Sequence, residues 1–201
     1  MKYDIQKLRK SLKAKLSAAR YEHTLSVSFT AVALAMRYGY NLEKAELAGL
    51  LHDCAKGFDD ETMIQKCQKK KVPLTEEELN APAVIHAKLG AVLAKDKYEI
   101  EDEEILDAIR YHTTGRENMT LLDKIIYVAD YIEPRRNKAP HLDELRKLAF
   151  IDLDEALFQI MKNTLEYLES KGGSIDSMSE RAYQYYKEQR ESKAVNVQTG
   201  I

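Results

Sequence analysis

Apolar residues recur at every third or fourth position along most of this chain, which is the spacing of one face of an α-helix. The first long segment carries such a stripe at Tyr21, Leu25, Phe29, Val32 and Met36. No segment shows the sustained apolar–polar alternation that is typical of a β-strand. The pattern therefore predicts an all-α fold.

Further stripes of the same kind follow, separated by short helix-ending and helix-starting signals. The later stripes are Ala48, Leu51 and Ala55; Ile105, Ile109 and His112; Leu122, Ile125, Ala129 and Ile132; and Leu153, Leu157, Ile160, Met161, Thr164 and Leu168. The signals are Gly39, Gly57, Gly115, Pro134 and Gly172–Gly173 after helices, and a capping box that begins at Thr75. We predict one domain over residues 1–201, with a core at about 18–170 and a C-terminal helical extension at about 171–195.

The composition fits a soluble folded domain and narrows the choice of partners. Of the 201 residues, 44% are hydrophobic and 32% are charged, and the net charge is −2. The charges are mixed, without the basic stripe of a nucleic-acid binder, and the lysines at 69–71 are interpreted as a solvated helix end. No apolar stretch approaches the ~18 residues that suggest a membrane span. We expect a cytoplasmic protein without nucleic-acid or membrane partners, in which Cys54 and Cys67 are reduced thiols.

The sharpest local signal for chemistry is the pair His52 and Asp53, which ends the apolar segment 47–51. Neighbouring residues inside a helix point in different directions, but at the last turn the backbone opens and both side chains can face one target. An imidazole and a carboxylate there can hold a divalent ion, and the second carboxylate oxygen can reach another. The alternative is an ordinary exposed helix end, which the leucines leading into the pair disfavour.

Asp130 is a carboxylate within a very apolar helical segment. A buried charge has to be paired or bound to a cation, so either a salt bridge or a metal ion would explain it. His23, His86 and His112 also lie in apolar helical segments, and helical bundles build metal sites from single ligands on separate helices. Such ligands suit iron, manganese, zinc or cobalt in a catalytic site. His141 falls outside this set and is expected to be exposed or to cap a helix.

The order of these residues resembles that of the HD-domain metal-dependent phosphohydrolases, in which a histidine, a His-Asp pair and a distant aspartate follow one another. A subset of that family has two histidines between the pair and the distant aspartate, and it binds two metals. The matching residues here are His23, His52, Asp53, His86, His112 and Asp130. The surrounding segments 47–56, 86–91, 108–115 and 124–135 are similar to those of the bacterial symmetrical bis(5'-nucleosyl)-tetraphosphatases of HD type.

The resemblance implies an HD-domain helical bundle with additional N- and C-terminal helices, and hydrolysis of diadenosine tetraphosphate to two ADP. It also implies two divalent metal ions, most readily iron, with manganese, cobalt, zinc or magnesium as substitutes. The expected ligands of one ion are His23, His52, Asp53 and Asp130. The expected ligands of the other are His86 and His112, with Asp53 as the bridge between the two ions.

A tetraphosphate is highly anionic, so the site is expected to supply fixed positive charge and hydrogen bonds. The residues expected to contact the substrate are Arg20, Lys56, Thr113, Thr114 and Arg135. Lys56 is expected to act in catalysis together with Asp53. The expected partner is a dinucleoside polyphosphate or another nucleotide, and homodimer formation is left open.

Two other functions stay open from the sequence. One is an HD-type nucleotidase or phosphodiesterase for a different nucleotide, although the Gly-Tyr-Pro signature of cyclic dinucleotide phosphodiesterases does not follow the histidines. The other is a metal-dependent module that senses nucleotides without turnover. The full set of ligands disfavours the sensor, because a sensor could lose residues that only chemistry needs.

Overall fold

The regular structure of the chain is helical, as the hydrophobic pattern predicts. The computed structural model describes residues 3–172 and 175–199, and in these ranges it contains eleven α-helices, a short 3-10 turn at Pro82–Val84 and no β-strand. The helices are α1 (Ile5–Lys13), α2 (Ala18–Tyr38), α3 (Leu42–Leu51), α4 (Asp60–Lys69), α5 (Glu76–Asn80), α6 (Ile85–Tyr98), α7 (Glu103–Tyr111), α8 (Leu121–Ile132), α9 (Leu142–Ala149), α10 (Leu153–Ser170) and α11 (Ser177–Thr199).

Most of the helices begin at a side chain that accepts a hydrogen bond from the first turn. Such a cap satisfies a backbone N–H that has no partner within the helix, and it typically contributes about 1 kcal/mol. The capping side chains are those of Asp4, Ser17, Asn41, Asp59, Thr75, Asp102, Thr120 and Asp152. The capping box predicted at Thr75 is confirmed, with Glu78 as its second member.

Helix ends also follow the predicted signals. Gly39 ends α2 and Gly115 follows α7, both in the left-handed backbone region that glycine enters without strain, with φ of 66° and 68°. Helix α8 stops at Ile132, two residues before Pro134, as predicted. Gly172 follows α10, also with positive φ, whereas Gly173 lies outside the described residues.

Helix α2 occupies the centre of the fold and packs against α3 and α8. Its buried face consists of small and medium-sized residues: Thr24, Val27, Ser28, Ala31, Leu34 and Ala35. Two residues of the apolar stripe identified from the sequence do not lie on this buried face, since Phe29 and Met36 are 57% and 61% exposed. Small residues are buried instead because α2 and α3 approach closely. A Cβ added at Gly49 of α3 would lie 2.7 Å from the Ser28 Cα atom.

The C-terminal helix packs on the same body, beside α10. The ring of Tyr183 stacks on Phe158 of α10 with 5.5 Å between ring centroids. The buried Tyr186 hydroxyl accepts a hydrogen bond of 2.8 Å from the backbone N–H of Met119. The predicted extension is thus helical, and it begins at Ser177 after the end of α10.

Several smaller sequence predictions can be compared with this fold. Cys54 and Cys67 are buried, unpaired thiols, as expected. The lysines at 69–71 are exposed at the end of α4. His141 is also exposed and occupies the position before α9, where its side chain makes no capping hydrogen bond. In the described part of the chain, no helix is both long and apolar enough to cross a membrane.

Candidate metal centre

The six predicted ligands lie within or just after five helices and meet around one carboxylate, that of Asp53. Its Oδ1 lies 3.2 Å from Nε2 of His86 and 3.7 Å from Nε2 of His112. Its Oδ2 lies 3.4 Å from Nε2 of His52 and 3.7 Å from Nε2 of His23. The two oxygens of one side chain therefore face different histidines.

Asp130 joins the cluster from the end of α8. Its Oδ1 lies 3.1 Å from the His23 Nε2 atom. In the described residues, two groups have ligand atoms within 4.8 Å of one another and could hold a metal ion. The first group is His23, His52 and Asp130, and the second is His52, Asp53 and His112. His86 adjoins the second group, with its Nε2 atom 3.1 Å from that of His112.

Backbone carbonyls orient three of the four histidines in the same way. In each case Nδ1 donates to the carbonyl three residues earlier, at 2.6–2.7 Å, because a carbonyl can only accept. The pairs are His52 with Gly49, His86 with Ala83 and His112 with Ile109. A proton on Nδ1 leaves the lone pair on Nε2, so three lone pairs point at the centre. His23 differs, since its Nδ1 lies 3.2 Å from Oε1 of Glu133.

The donor set fits a bound cation. The Nε2 atom of His52 is buried and has no hydrogen-bond partner among the described residues. Burial lowers the pKa of His86 to about 4 against the opposing effect of Asp53, so this ring is neutral at physiological pH. The neutral His86 ring then directs an Nε2 lone pair at that of His112, only 3.1 Å away. These lone pairs repel unless a positive charge lies between or beside them, so the geometry matches a metal-ligand set.

The two carboxylates of the centre stay ionised despite their surroundings. Burial would raise the pKa of Asp53, but the electrostatic effect of His52 comes first among the interactions that outweigh it and hold the pKa well below its usual value. Burial acts in the same direction on Asp130, where His23 and Arg136 outweigh it and lower the pKa. Both lowered pKa values favour the anionic, ligand form of these carboxylates.

Cationic side chains surround the open side of the centre. Arg20 donates to Oδ2 of Asp53 at 2.7 Å, and Arg136 donates to Oδ1 of Asp130 at 3.0 Å. Lys56 is half-buried near both carboxylates, and burial lowers its pKa although Asp53 opposes the shift. A cavity of about 590 Å³ opens beside His23. Its lining includes Arg20, His23, Glu133, Arg136, Asn137 and Lys138.

This geometry can be set beside known proteins. A model of the HD domain matches residues 20–135, the stretch that carries all six clustered residues. The chain belongs to the HD domain family. Members of this family bind divalent metal, and the clusters around Asp53 are groups that could do so here.

Relatives within the HD domain family extend over most of the chain. A protein of Bacillus subtilis (strain 168) named "Bis(5'-nucleosyl)-tetraphosphatase, symmetrical" is 49% identical over 82% of this chain and 87% of its own length. A protein of the same name from Staphylococcus aureus (strain NCTC 8325 / PS 47) is 37% identical over 91% of this chain and 94% of its own.

A solved structure has the same fold. The crystal structure of a predicted HD superfamily hydrolase involved in NAD metabolism, from Clostridium acetobutylicum, is 42% identical to this chain. It superposes with a TM-score of 0.90 and covers 93% of this chain and 98% of its own. The HD-domain helical bundle expected from the sequence is thereby confirmed.

The remaining predicted substrate contacts are Thr113, Thr114 and Arg135, and they differ in how they lie relative to the centre. Thr113 has its Oγ1 atom 3.3 Å and 3.2 Å from Nε2 of His86 and His112. Thr114 is buried, and its hydroxyl donates to the carbonyl of Gly115 within its own turn. Arg135 is exposed, and its guanidinium lies 3.5 Å from Oε2 of Glu22. Its role in substrate binding stays a prediction.

No role was assigned from the sequence to two residues that the structure places at the centre, Glu133 and Arg136. Glu133 is buried beside His23, and Arg136 pairs with Asp130. A signal for both was present, since they follow Asp130 within six residues, just past the end of an apolar helix. A chain that turns there brings those side chains back toward the helix end.

Proposed function

We propose that this HD-domain protein is a metal-dependent hydrolase that splits dinucleoside tetraphosphates symmetrically, diadenosine tetraphosphate giving two ADP. The observation that carries the proposal is the Asp53 carboxylate, whose two oxygens face different histidines within one buried cluster. The names of relatives up to 49% identical to the chain support the substrate. We further propose that the protein acts in the cytoplasm, without nucleic-acid or membrane partners.

In this proposal the centre holds two divalent ions, most readily iron, with manganese, cobalt, zinc or magnesium as substitutes. The ligands of the first ion are His23, His52, Asp53 and Asp130. The ligands of the second are His86 and His112, with Asp53 as the bridge. The close approach of the Asp130 and His23 atoms on one side, and of His86 and His112 on the other, supports this division.

When bound, a metal pair would lower the pKa of an attacking water and neutralise charge on the phosphates. The chain's own cations would act on the rest of the substrate. Arg20 and Arg136 lie at the mouth, where each could exchange a carboxylate partner for a phosphate oxygen. Lys56 would neutralise charge on the phosphate nearest to the reacting bond.

Cleavage into identical products requires attack beside the central bridging oxygen of the tetraphosphate. The cavity beside His23 supports binding of one half of the substrate, because Arg136, Asn137 and Lys138 line it with donors. We propose Arg20, Lys56, Thr113, Thr114 and Arg135 as substrate contacts, as expected from the sequence, and add Arg136. Thr113 is the better placed of the two threonines, since the Thr114 hydroxyl is bonded within its turn.

The test is an analysis of products. Protein purified under reducing conditions and supplied with ferrous ion is incubated with diadenosine tetraphosphate, beside His52→Ala and Asp53→Ala variants. ADP as the only nucleotide product, absent with both variants, is the expected result. AMP together with ATP would overturn symmetrical cleavage. No turnover with any divalent ion would overturn the substrate, and a panel of other nucleotides would then separate another phosphohydrolase from a sensor.

A further inference from the structure

His23 is held differently from the other three histidines of the centre. The other rings donate to backbone carbonyls of their own chain segments, whereas Nδ1 of His23 meets the side chain of Glu133, which is 110 residues away in the sequence. A helical residue early in α2 has no free carbonyl beside its ring, because the helix uses those carbonyls for its own hydrogen bonds. An external acceptor is therefore needed to orient this ring.

Glu133 is built into the structure as that acceptor. Its side chain is only 3% exposed and does not form an ion pair with lysine or arginine among the described residues. Oε2 accepts the backbone N–H of Arg135 at 2.7 Å, Oε1 faces His23, and the Ser26 hydroxyl also bonds to the carboxylate. With donors at both oxygens, the carboxylate serves only as an acceptor.

The turn that carries Glu133 is fixed from outside the centre. The guanidinium of Arg146 in α9 donates to the carbonyls of Ile132, Glu133 and Arg136 at 3.0, 3.0 and 2.7 Å. One rigid fork thus holds the start, middle and end of the turn after α8. The position of the Glu133 carboxylate is consequently set by the fold and does not depend on His23.

We propose that Glu133 is the positioning residue for His23. Its carboxylate accepts the Nδ1 proton of His23 and so turns Nε2 toward the position that a metal ion would share with Asp130 and Asp53, whose nearest oxygens lie 3.1 and 3.7 Å from Nε2. The inference depends on the proposed function only for the presence of metal at His23, and it holds for whichever nucleotide is cleaved. Partners of this kind typically change metal affinity by about 10–100-fold.

Glutamine cannot replace Glu133 in this role. The carboxylate accepts at both oxygens, from Arg135 on one side and His23 on the other. An amide has one oxygen and one NH₂ group, so one of those two contacts becomes donor against donor. If NH₂ faces His23, the ring must move its proton to Nε2, which removes the lone pair that would bind metal.

The experiment compares Glu133→Gln and Glu133→Ala with a matched control, Glu22→Gln. Glu22 is an exposed carboxylate one position before His23, and it pairs with Arg135. Long-range ¹H–¹⁵N spectra of the protein loaded with diamagnetic zinc report whether the Nδ1 proton of His23 is hydrogen-bonded and slow to exchange with water. Titration with ferrous ion, followed by metal analysis, gives the affinity, and circular dichroism shows that the variants are folded.

The expected result is a slowly exchanging Nδ1 proton on His23 in the wild type and in Glu22→Gln, lost in both Glu133 variants together with an about 10–100-fold fall in metal affinity. A rapidly exchanging Nδ1 proton on His23 in the wild type would overturn the proposal, even if neither Glu133 variant folds. Unchanged affinity in folded Glu133→Gln would overturn it as well. Neither readout uses diadenosine tetraphosphate. A negative result in the hydrolysis assay would therefore leave the role of Glu133 untouched, and the two failures can be told apart.

Discussion

The inner and outer sides of the candidate metal centre are held by different means. On the inner side, His52, His86 and His112 are at most 4% exposed, and main-chain carbonyls fix their rings. On the outer side, the side chains of His23 and Asp130 are 14% and 26% exposed. Charged side chains hold them, since Glu133 binds His23 and Arg136 binds Asp130.

The difference indicates a division of tasks. Carbonyl acceptors belong to the helices themselves and cannot move without unfolding them, so the inner side is suited to constant ligand geometry. Charged side chains can exchange partners, so the outer side is suited to admit an anionic substrate. Asp53 belongs to both sides, because Oδ1 faces His86 and His112 of the inner side, whereas Oδ2 faces His23 and Arg20 as well as His52.

The largest effect is expected from Asp53→Ala, because this carboxylate contacts ligands on both sides through its two oxygens. Hydrolysis should fall to background and the bound metal should be lost. Asp60→Ala, at an exposed position in the first turn of α4, serves as the control and should retain activity. Turnover assays and metal analysis provide the check. Substantial activity in Asp53→Ala would contradict the view that Asp53 joins the inner and outer sides of the centre.

The next largest effect is expected from Lys56→Ala, which removes a half-buried cation from the reacting end of the site. We expect kcat to fall about 10²–10³-fold, in the range found for single charge-stabilising donors. An unchanged kcat with a raised KM would instead make Lys56 a ground-state binding residue.

The pH profile sharpens the same prediction. Burial lowers the pKa of Lys56, so the ammonium form is lost as pH rises, earlier than for an ordinary lysine. Activity that needs the cation should therefore decline on the alkaline side. Lys56→Arg, which stays charged, should extend activity to higher pH. If activity declines at the same alkaline pH in the wild type and in Lys56→Arg, deprotonation of Lys56 is not the cause of the decline.

Smaller effects are expected from substituting two neighbouring arginines. Arg136 belongs to the outer side of the centre, whereas Arg135 lies on the protein surface. Arg136→Ala removes the partner of Asp130 and a wall of the cavity, and should lower kcat/KM by about 10–100-fold. Arg135→Ala removes an exposed guanidinium that lies 3.5 Å from Glu22, and should cost less. Steady-state kinetics measure both, and the reverse order would return the main role to Arg135.

The smallest effects are expected from the two threonines after α7. Thr113→Val removes a hydroxyl beside His86 and His112 and should change activity more than stability. Thr114→Val removes a bond to Gly115 within a buried turn and should cost about 1 kcal/mol of unfolding free energy, with little change in activity. Denaturant titrations and kinetics distinguish the two, and equal losses of activity would contradict the assignment.

Sequence reasoning reached the helical fold and brought together all six clustered residues, because helical spacing and buried polar side chains are local signals. It misplaced part of the buried face of α2, where bulk suggested Phe29 and Met36. The tight approach to Gly49 instead buries Ser28 and other small residues. It also passed over Glu133 as a candidate, since the contact with His23 spans 110 residues and depends on a turn that Arg146 fixes from another helix.

The most direct test of the central claim counts metal ions in the reconstituted protein and in two variants, one from each side of the centre. The account predicts two ions per chain in the wild type, with one lost in His86→Ala on the inner side and the other disturbed in His23→Ala on the outer side. Anomalous scattering from crystals of the same samples would locate each ion. A single ion in the wild type, or two ions retained at full occupancy in His86→Ala, would contradict the account.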